Sequence, residues 1–324
     1  MTAEDCLFNK VDSLIAQGLL GTIGNTPLIE LKNISPKVGV RFFVKLEGNN
    51  PTGSVKDRIA KKMIETAEDS GKLSPGKVIL EPTSGNTGIS LAMIGRLKGY
   101  KVKVVMPENV SIERIQLLKA YGADIHLSEP NGGTNHSVQV AQSLADSNPN
   151  YFMPYQYGNP SNPDVHFETT GPEIIRDLPN VTHFVAGLGT GGTLMGVGRY
   201  LKQYNSEIKV IAATPQPDEL IYGLRDLDEG FVPPILDLNM LDSRILVKSE
   251  EAFHWTSQLL KLEGVFAGVS SGAVIATARK LSERLSEANV VCLLADAGWK
   301  YLSTGLWTKD SVDLEHEVGG KIWW

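Results

Sequence analysis

In the stretch KLEGNNPTGSVKDR, Lys45 to Arg58, Asn49-Asn50-Pro51 is turn chemistry and Gly53-Ser54 marks the entry to a helix running on to Ile64. Lys56 then falls in the first turn, where the helix dipole favours anions over cations. One reading is a solvent-facing ammonium paired with Asp57 or Glu47, the ordinary fate of a lysine. The other is an amine whose pKa is lowered by the positive dipoles around it. Such an amine is a nucleophile, able to form a Schiff base with an aldehyde. An aldehyde cofactor that also carries a phosphate would need a phosphate cradle elsewhere in the chain.

Two segments have that character. GLGTGGTLMG, Gly187 to Gly196, follows an apolar strand and leads into a helix. A glycine-rich turn there presents several backbone N–H groups to one phosphate, with Thr190 and Thr193 as further donors. Gly187, Gly189 and Gly192 also match the dinucleotide spacing GxGxxG. The next strand, however, ends Ala212-Ala213-Thr214-Pro215 without the acid a dinucleotide ribose wants, which favours a monophosphate. A tight turn that binds nothing is the alternative. The second segment, EPTSGNTG from Glu81 to Gly88, places Ser84, Asn86 and Thr87 around glycine at a helix start. That suits a carboxylate, or plain N-capping.

The elements that must position these groups alternate between strand and helix. Strands are expected at 77–80, 102–106, 123–127, 183–186 and 208–212, and helices at 88–97, 111–121 (with Ser111 as its cap) and 194–203. This alternation predicts an α/β fold with parallel sheets covered by helices on both sides. Two blocks, 47–158 and 159–310, join at the Pro/Asn/Gly-rich Gly158–Pro163, with a cleft between them. The 324 residues are 42% apolar and 21% charged, enough for two cores. A net charge of -6 with both signs interspersed argues against nucleic acid. No run of apolar residues reaches membrane length, and Met1 to Lys10 has no apolar signal region. Cys6 and Cys292 stand alone, the latter in a buried strand-like run, which suits a reducing compartment and a soluble cytoplasmic protein. The histidines, at 126, 136, 166, 183, 254 and 316, show no metal-ligand spacing, so no metal is expected.

Taken together, NPTGSVKDR, TSGNTG, GLGTGGT and GVSSGA occur in the order found in cysteine synthases, which are fold-type-II enzymes dependent on pyridoxal phosphate. The resemblance extends from GNTPL at Gly24 to ADAGWKYLSTG ending at Gly305. In LRDLDEGFVP, Leu224–Pro233, the chain is similar to the actinobacterial M type. The resemblance implies two three-layer αβα domains like those of tryptophan synthase β: a smaller one over 47–158 and a larger one over 24–46 plus 159–310. An arm, 1–23, and a tail, 311–324, would flank them. By the same resemblance Lys56 is the Schiff-base lysine and Asn86 meets the cofactor's 3′ oxygen. Gly189, Thr190, Gly191, Gly192 and Thr193 hold its phosphate, and Ser270 faces the pyridine nitrogen. Thr83, Ser84, Gly85, Thr87 and Gln156 bind the substrate carboxylate. A neutral hydroxyl at Ser270 makes the ring a weaker electron sink than an acid would, which favours loss of a β-leaving group through an aminoacrylate over transamination.

Arg225 is read in two ways, as a surface ion pair with Asp226 or Asp228, or as a fork for a phosphate leaving group. M-type relatives with this arginine use O-phosphoserine and a thiocarboxylated ubiquitin-like sulfur carrier. That implies an O-phosphoserine-dependent cysteine synthase, working as a homodimer. An O-acetylserine sulfhydrylase using sulfide, with serine acetyltransferase as partner, is the alternative. A cystathionine β-synthase-like enzyme is another, although the chain ends at Trp324 without that enzyme's regulatory domain or haem segment. A nucleotide-binding module without catalysis would leave Lys56 structural. The tail GGKIWW has a Gly-Gly hinge and two terminal tryptophans, a pattern that suits docking in the cleft or on a second subunit, or packing against the chain's own body.

Overall fold

Strands buried on both faces read as continuous apolar runs, and this chain holds several. The computed structural model describes residues 15–83, 85–108, 110–129, 133–227 and 230–308. Its strands, in chain order, are β1 (Leu28–Leu31), β2 (Val40–Leu46), β3 (Val78–Pro82), β4 (Lys101–Pro107), β5 (Asp124–Ser128), β6 (Tyr151–Phe152), β7 (His183–Gly187), β8 (Lys209–Pro215), β9 (Ser243–Val247) and β10 (Ala288–Leu294). They form a six-stranded sheet ordered β1-β2-β10-β7-β8-β9 and a four-stranded sheet ordered β5-β4-β3-β6. Only β1 and β2 pair antiparallel.

Helices α1 (Lys56–Asp69), α2 (Asn86–Lys98), α3 (Ile112–Ala120) and α4 (Gly133–Ser147) accompany the smaller sheet. Ile79 and Val102 pack against Ala60 and Ile64 of α1 and Leu91 of α2, while Leu80 and Val105 turn the other way, onto Ala141 of α4. α5 (Ser161–Val165), α6 (Gly171–Asp177), α7 (Gly192–Tyr204), α8 (Ser249–Glu263) and α9 (Val269–Ser282) accompany the larger sheet. The same alternation holds there. Phe184, Ala186, Val291 and Leu293 face Leu194 and Val197 of α7, and Val185, Val290 and Cys292 face Val274 and Ile275 of α9. Each sheet is thus the middle of three layers, as the strand–helix alternation predicts. Cys292 is fully buried, as expected of a core thiol.

The expected strands all fall on observed ones. One local expectation is corrected: Ser111 occupies the cap position of α3, but its hydroxyl makes no capping bond and has no partner among the described residues. Gly158–Pro163 is more than a join, since Ser161 begins α5, which packs under α7. No helix among the described residues is long and apolar enough to cross a membrane.

Parallel pairing sets the ends of β2, β7 and β10 toward one edge of the larger sheet, while β3 ends in the smaller one. The segments that follow them carry Lys56, the 83–86 loop, the glycine turn and Asp296–Tyr301. Open α/β sheets bind ligands at such carboxyl ends.

Candidate active site

Lys56 is the first residue of α1, held by a turn that is pinned to the end of β10. Val55 N donates to Ala295 O at 2.8 Å, and Ala297 N to Gly53 O at 3.0 Å. Neither expected partner takes its charge. Asp57 is occupied by Thr52 and Ser90, and Glu47 by Arg58. Burial lowers the Lys56 amine from 10.5 to about 8, with Asp296 acting in the opposite direction. The amine points into a cavity lined also by Thr83, Gly85, Asn86, Thr87, Gln156, Gly189, Thr190 and Arg225. An adjoining cavity shares Lys56 and Gly189 and adds Thr193, Gly223, Ser270 and Val274. Of the residues singled out in the sequence, Ser84 lies outside the described residues, as do Asp228, Glu229 and the 311–324 tail.

The glycine turn between β7 and α7 has the form of an anion cradle. Gly191 has φ 87°, a backbone that L side chains rarely adopt, and a Cβ at Gly189 would stand 2.7 Å from Gly223 O. The first-turn amides of α7 have no intrahelical acceptor. Two residues without a predicted role order the turn's hydroxyls. Asn162 Nδ2 donates to Thr190 Oγ1 at 3.0 Å, and His166 Nε2 lies 3.2 Å from Thr193 Oγ1. His166 is fully enclosed, and burial holds its pKa well below the usual imidazole value, with Arg58 and Lys56 adding to the effect.

Across the cavity, Thr87 Oγ1 donates to Gln156 Oε1 at 2.7 Å, at the N-terminus of α2. Beneath them Glu81 accepts from Tyr155 N at 2.8 Å and Gln156 N at 2.9 Å. This carboxyl sits in the core, and burial pushes it up to about 7. Arg225 is not a surface charge: it is 5% exposed. Its guanidinium contacts Asn135 Oδ1 at 3.5 Å and stands over the rings of Tyr157 and Phe231. A second buried arginine, Arg114, lines the same cavity beside Tyr222 and Tyr301.

Comparison with known proteins decides the family. Residues 19–296 match the family described as pyridoxal-phosphate dependent enzyme. A probable cysteine synthase of Bacillus subtilis is 43% identical over 298 residues, covering 88% of this chain and 96% of the relative. Cysteine synthase B of Salmonella typhimurium is 40% identical over 290 residues, covering 89% and 95%. A solved cysteine synthase from Entamoeba histolytica superposes with a TM-score of 0.84 at 34% identity, covering 94% of this chain and 96% of that one. The chain is a pyridoxal-phosphate dependent enzyme of the cysteine synthase family.

The site fits that cofactor on its own geometry. The enzyme offers an amine of lowered pKa, a glycine turn that a Cβ would fill, and a neutral hydroxyl, Ser270, at the start of α9. Lys56 can carry an aldehyde, residues 189–193 a phosphate, and Ser270 a ring nitrogen.

Sequence reasoning missed Asp296, Lys300 and Tyr301. They stand in the ADAGWKYLSTG stretch that carries the family resemblance, so a signal was there, but nothing in their spacing ties them to Asn86. In the folded enzyme Asn86 Nδ2 donates to Asp296 Oδ2 at 2.7 Å, Lys300 Nζ donates to Asn86 Oδ1 at 2.6 Å, and Tyr301 Oη donates to Asp296 Oδ2 at 2.6 Å.

Proposed function

We propose that the enzyme makes L-cysteine by β-replacement on O-phospho-L-serine. When bound, pyridoxal phosphate supplies the electron sink that lets an amino acid lose its α-proton and its β-substituent. Lys56 anchors the cofactor. With its amine free, Lys56 would take the α-proton, and burial, which lowers that amine to about 8, favours the neutral form that accepts it. Thr83, Gly85, Thr87 and Gln156, with Ser84, bind the α-carboxylate at the α2 N-terminus. Asn86 meets the cofactor's ring oxygen. Residues 189–193 hold its phosphate, and Ser270 meets its ring nitrogen without placing a negative charge there. The bond from Cβ to the phosphate oxygen breaks and phosphate leaves with the electron pair. A sulfur nucleophile then bonds to Cβ, and the Lys56 ammonium returns a proton to Cα.

The observation that supports phosphate over acetate is Arg225, a buried guanidinium that lines the Lys56 cavity beside Asn135, Tyr157 and Phe231. Phosphate carries close to two charges near neutral pH, whereas an acetyl ester carries none. The family resemblance supports the remaining assignments: a homodimer in the cytoplasm, two domains facing the cleft, and sulfide or a thiocarboxylated carrier protein as sulfur donor. Arg225→Ala is expected to lower kcat/KM for O-phosphoserine about ten- to a hundredfold, the loss of a charge-assisted bidentate contact, and to leave O-acetylserine nearly untouched. Arg225→Lys should recover part of the loss, keeping the charge without the fork. The assay is a side-by-side turnover measurement at fixed ionic strength. An equal fall with both substrates would mean that Arg225 holds the loop. No fall with either would favour the acetylserine reading.

A further inference from the structure

Lys300 is a lysine with no exposed surface and no part in the reaction as described above. Its ammonium has two hydrogen-bond acceptors, Asn86 Oδ1 at 2.6 Å and Gly53 O at 3.1 Å. Gly53 belongs to the turn that presents Lys56, and Asn86 opens α2 beside the same cavity. Lys300 itself follows β10. One buried side chain therefore links three segments of the chain at the site.

The chemistry of the contact fixes a direction. A lysine ammonium only donates, and an ionised carboxylate only accepts. Asn86 lies between one of each, Lys300 on its oxygen side and Asp296 on its nitrogen side. The amide can satisfy both in one orientation and neither in the flipped one. We propose that Lys300 is a positioning residue that locks the Asn86 amide with Nδ2 toward the cofactor's ring oxygen. This deepens the assignment of Asn86 given above and rests on it.

The consequence is electrostatic as well as geometric. An amide nitrogen carries two hydrogens, so Asn86 Nδ2 can serve Asp296 with one and offer the other to a ligand. An anionic ring oxygen wants that donor, and a flipped amide would set oxygen against oxygen. A cation on the far side of the amide also polarises it, which strengthens donation from Nδ2. Burial lowers Lys300 to about 8, with Asp296 and Asp57 opposing, and both contacts of its Nζ, Asn86 Oδ1 and Gly53 O, are acceptors that suit an ammonium. A neutral side chain in its place would leave the two amide orientations close in energy.

The test uses the holoenzyme and reads its visible absorption band and the rate of cofactor release, without turnover. Lys300→Met is expected to shift the band and speed release about tenfold, the effect of losing one charge-assisted hydrogen bond. Lys300→Arg, which keeps a charged donor, should restore the band, as a merely space-filling role would not require. Asn86→Ala should do at least as much as Lys300→Met, and the double variant should equal Asn86→Ala alone, because Lys300 acts through that amide. Additive effects, or a Lys300→Met band identical to wild type beside a changed Asn86→Ala, would overturn the positioning role and leave the Asn86 assignment standing. An Asn86→Ala enzyme with both readings unchanged would instead overturn the Asn86 assignment. If Lys300→Met does not fold, Lys300→Gln, a neutral donor, carries the same comparison.

Discussion

Lys56 and Arg58 stand two residues apart on the first turn of α1, and the fold treats their charges in opposite ways. Arg58 is 2% exposed and fully paired. Its Nε and Nη2 reach Glu47 at 2.8 and 2.9 Å, and its Nη1 and Nη2 reach Glu173 at 2.7 and 2.8 Å. Glu173 also takes Lys45 Nζ at 2.8 Å. Burial works against the Arg58 charge, but Glu47 and Glu173 outweigh it and hold its pKa above the ordinary value. The Arg58 fork likewise draws Glu173 down to about 2 against its own burial. Lys56 has no such pair among the described residues, and its pKa falls instead. The same helix end thus holds one permanent charge that ties α1 to the segment after β2 and to α6, and one amine left free for chemistry. A buried base becomes reactive when its neighbours decline to neutralise it.

The comparison can be broken at either member. Lys56→Met is expected to abolish turnover entirely and to leave the cofactor-free protein as stable as before or slightly more so, since a poorly compensated buried amine is removed. Kinetics and urea unfolding check the two halves. A stability loss as large as that of Arg58→Met would mean that Lys56 is structural.

Arg58→Met should do the reverse. It leaves Glu47 and Glu173 facing each other with Lys45 alone, and breaking a buried pair costs about 3–5 kcal/mol. Urea unfolding of the cofactor-free protein should show that loss, while the fraction that folds should keep its visible absorption with pyridoxal phosphate.

Glu81 sharpens the rule from the acid side. It is a buried carboxyl held by two backbone amides, and burial raises it from 4.5 to about 7. The folded state therefore binds a proton that the unfolded state has released between those values. Stability from this group is full below about 4.5 and falls as pH rises to 7. At 1.36 kcal/mol per pH unit the fall is at most about 3 kcal/mol. Glu81→Gln should flatten that slope in unfolding free energy measured from pH 4.5 to 7. An unchanged slope would assign it to other groups.

Much of this was legible in the sequence, for physical reasons. The glycine turn and Lys56 are local: a strand, a turn and a helix start lie within a dozen or so residues of each other, and periodicity finds them. The apolar runs at Val102–Met106 and Val290–Leu294 announced buried parallel strands. What stayed hidden was held by distant partners. Glu173 lies 115 positions from Arg58 and Lys300 lies 214 from Asn86, so no spacing rule could join them. Arg225 was legible as a residue but not as a buried one, because its neighbours Tyr157 and Asn135 come from elsewhere in the chain. Asn162 sat in a stretch that reads as a join, where proline and asparagine conceal a helix packed beneath the glycine turn, and His166 follows that helix.

On this reading the amine of Lys56, with no ion pair among the described residues, carries the cofactor. Borohydride reduction of the holoenzyme fixes the cofactor to whichever lysine holds it, and peptide mapping then locates the label. Lys300 is the sharpest competitor, since burial lowers both lysines to about 8 and both stand near Asn86. The account predicts label on Lys56 alone. Label on Lys300, or on any other lysine, would contradict it.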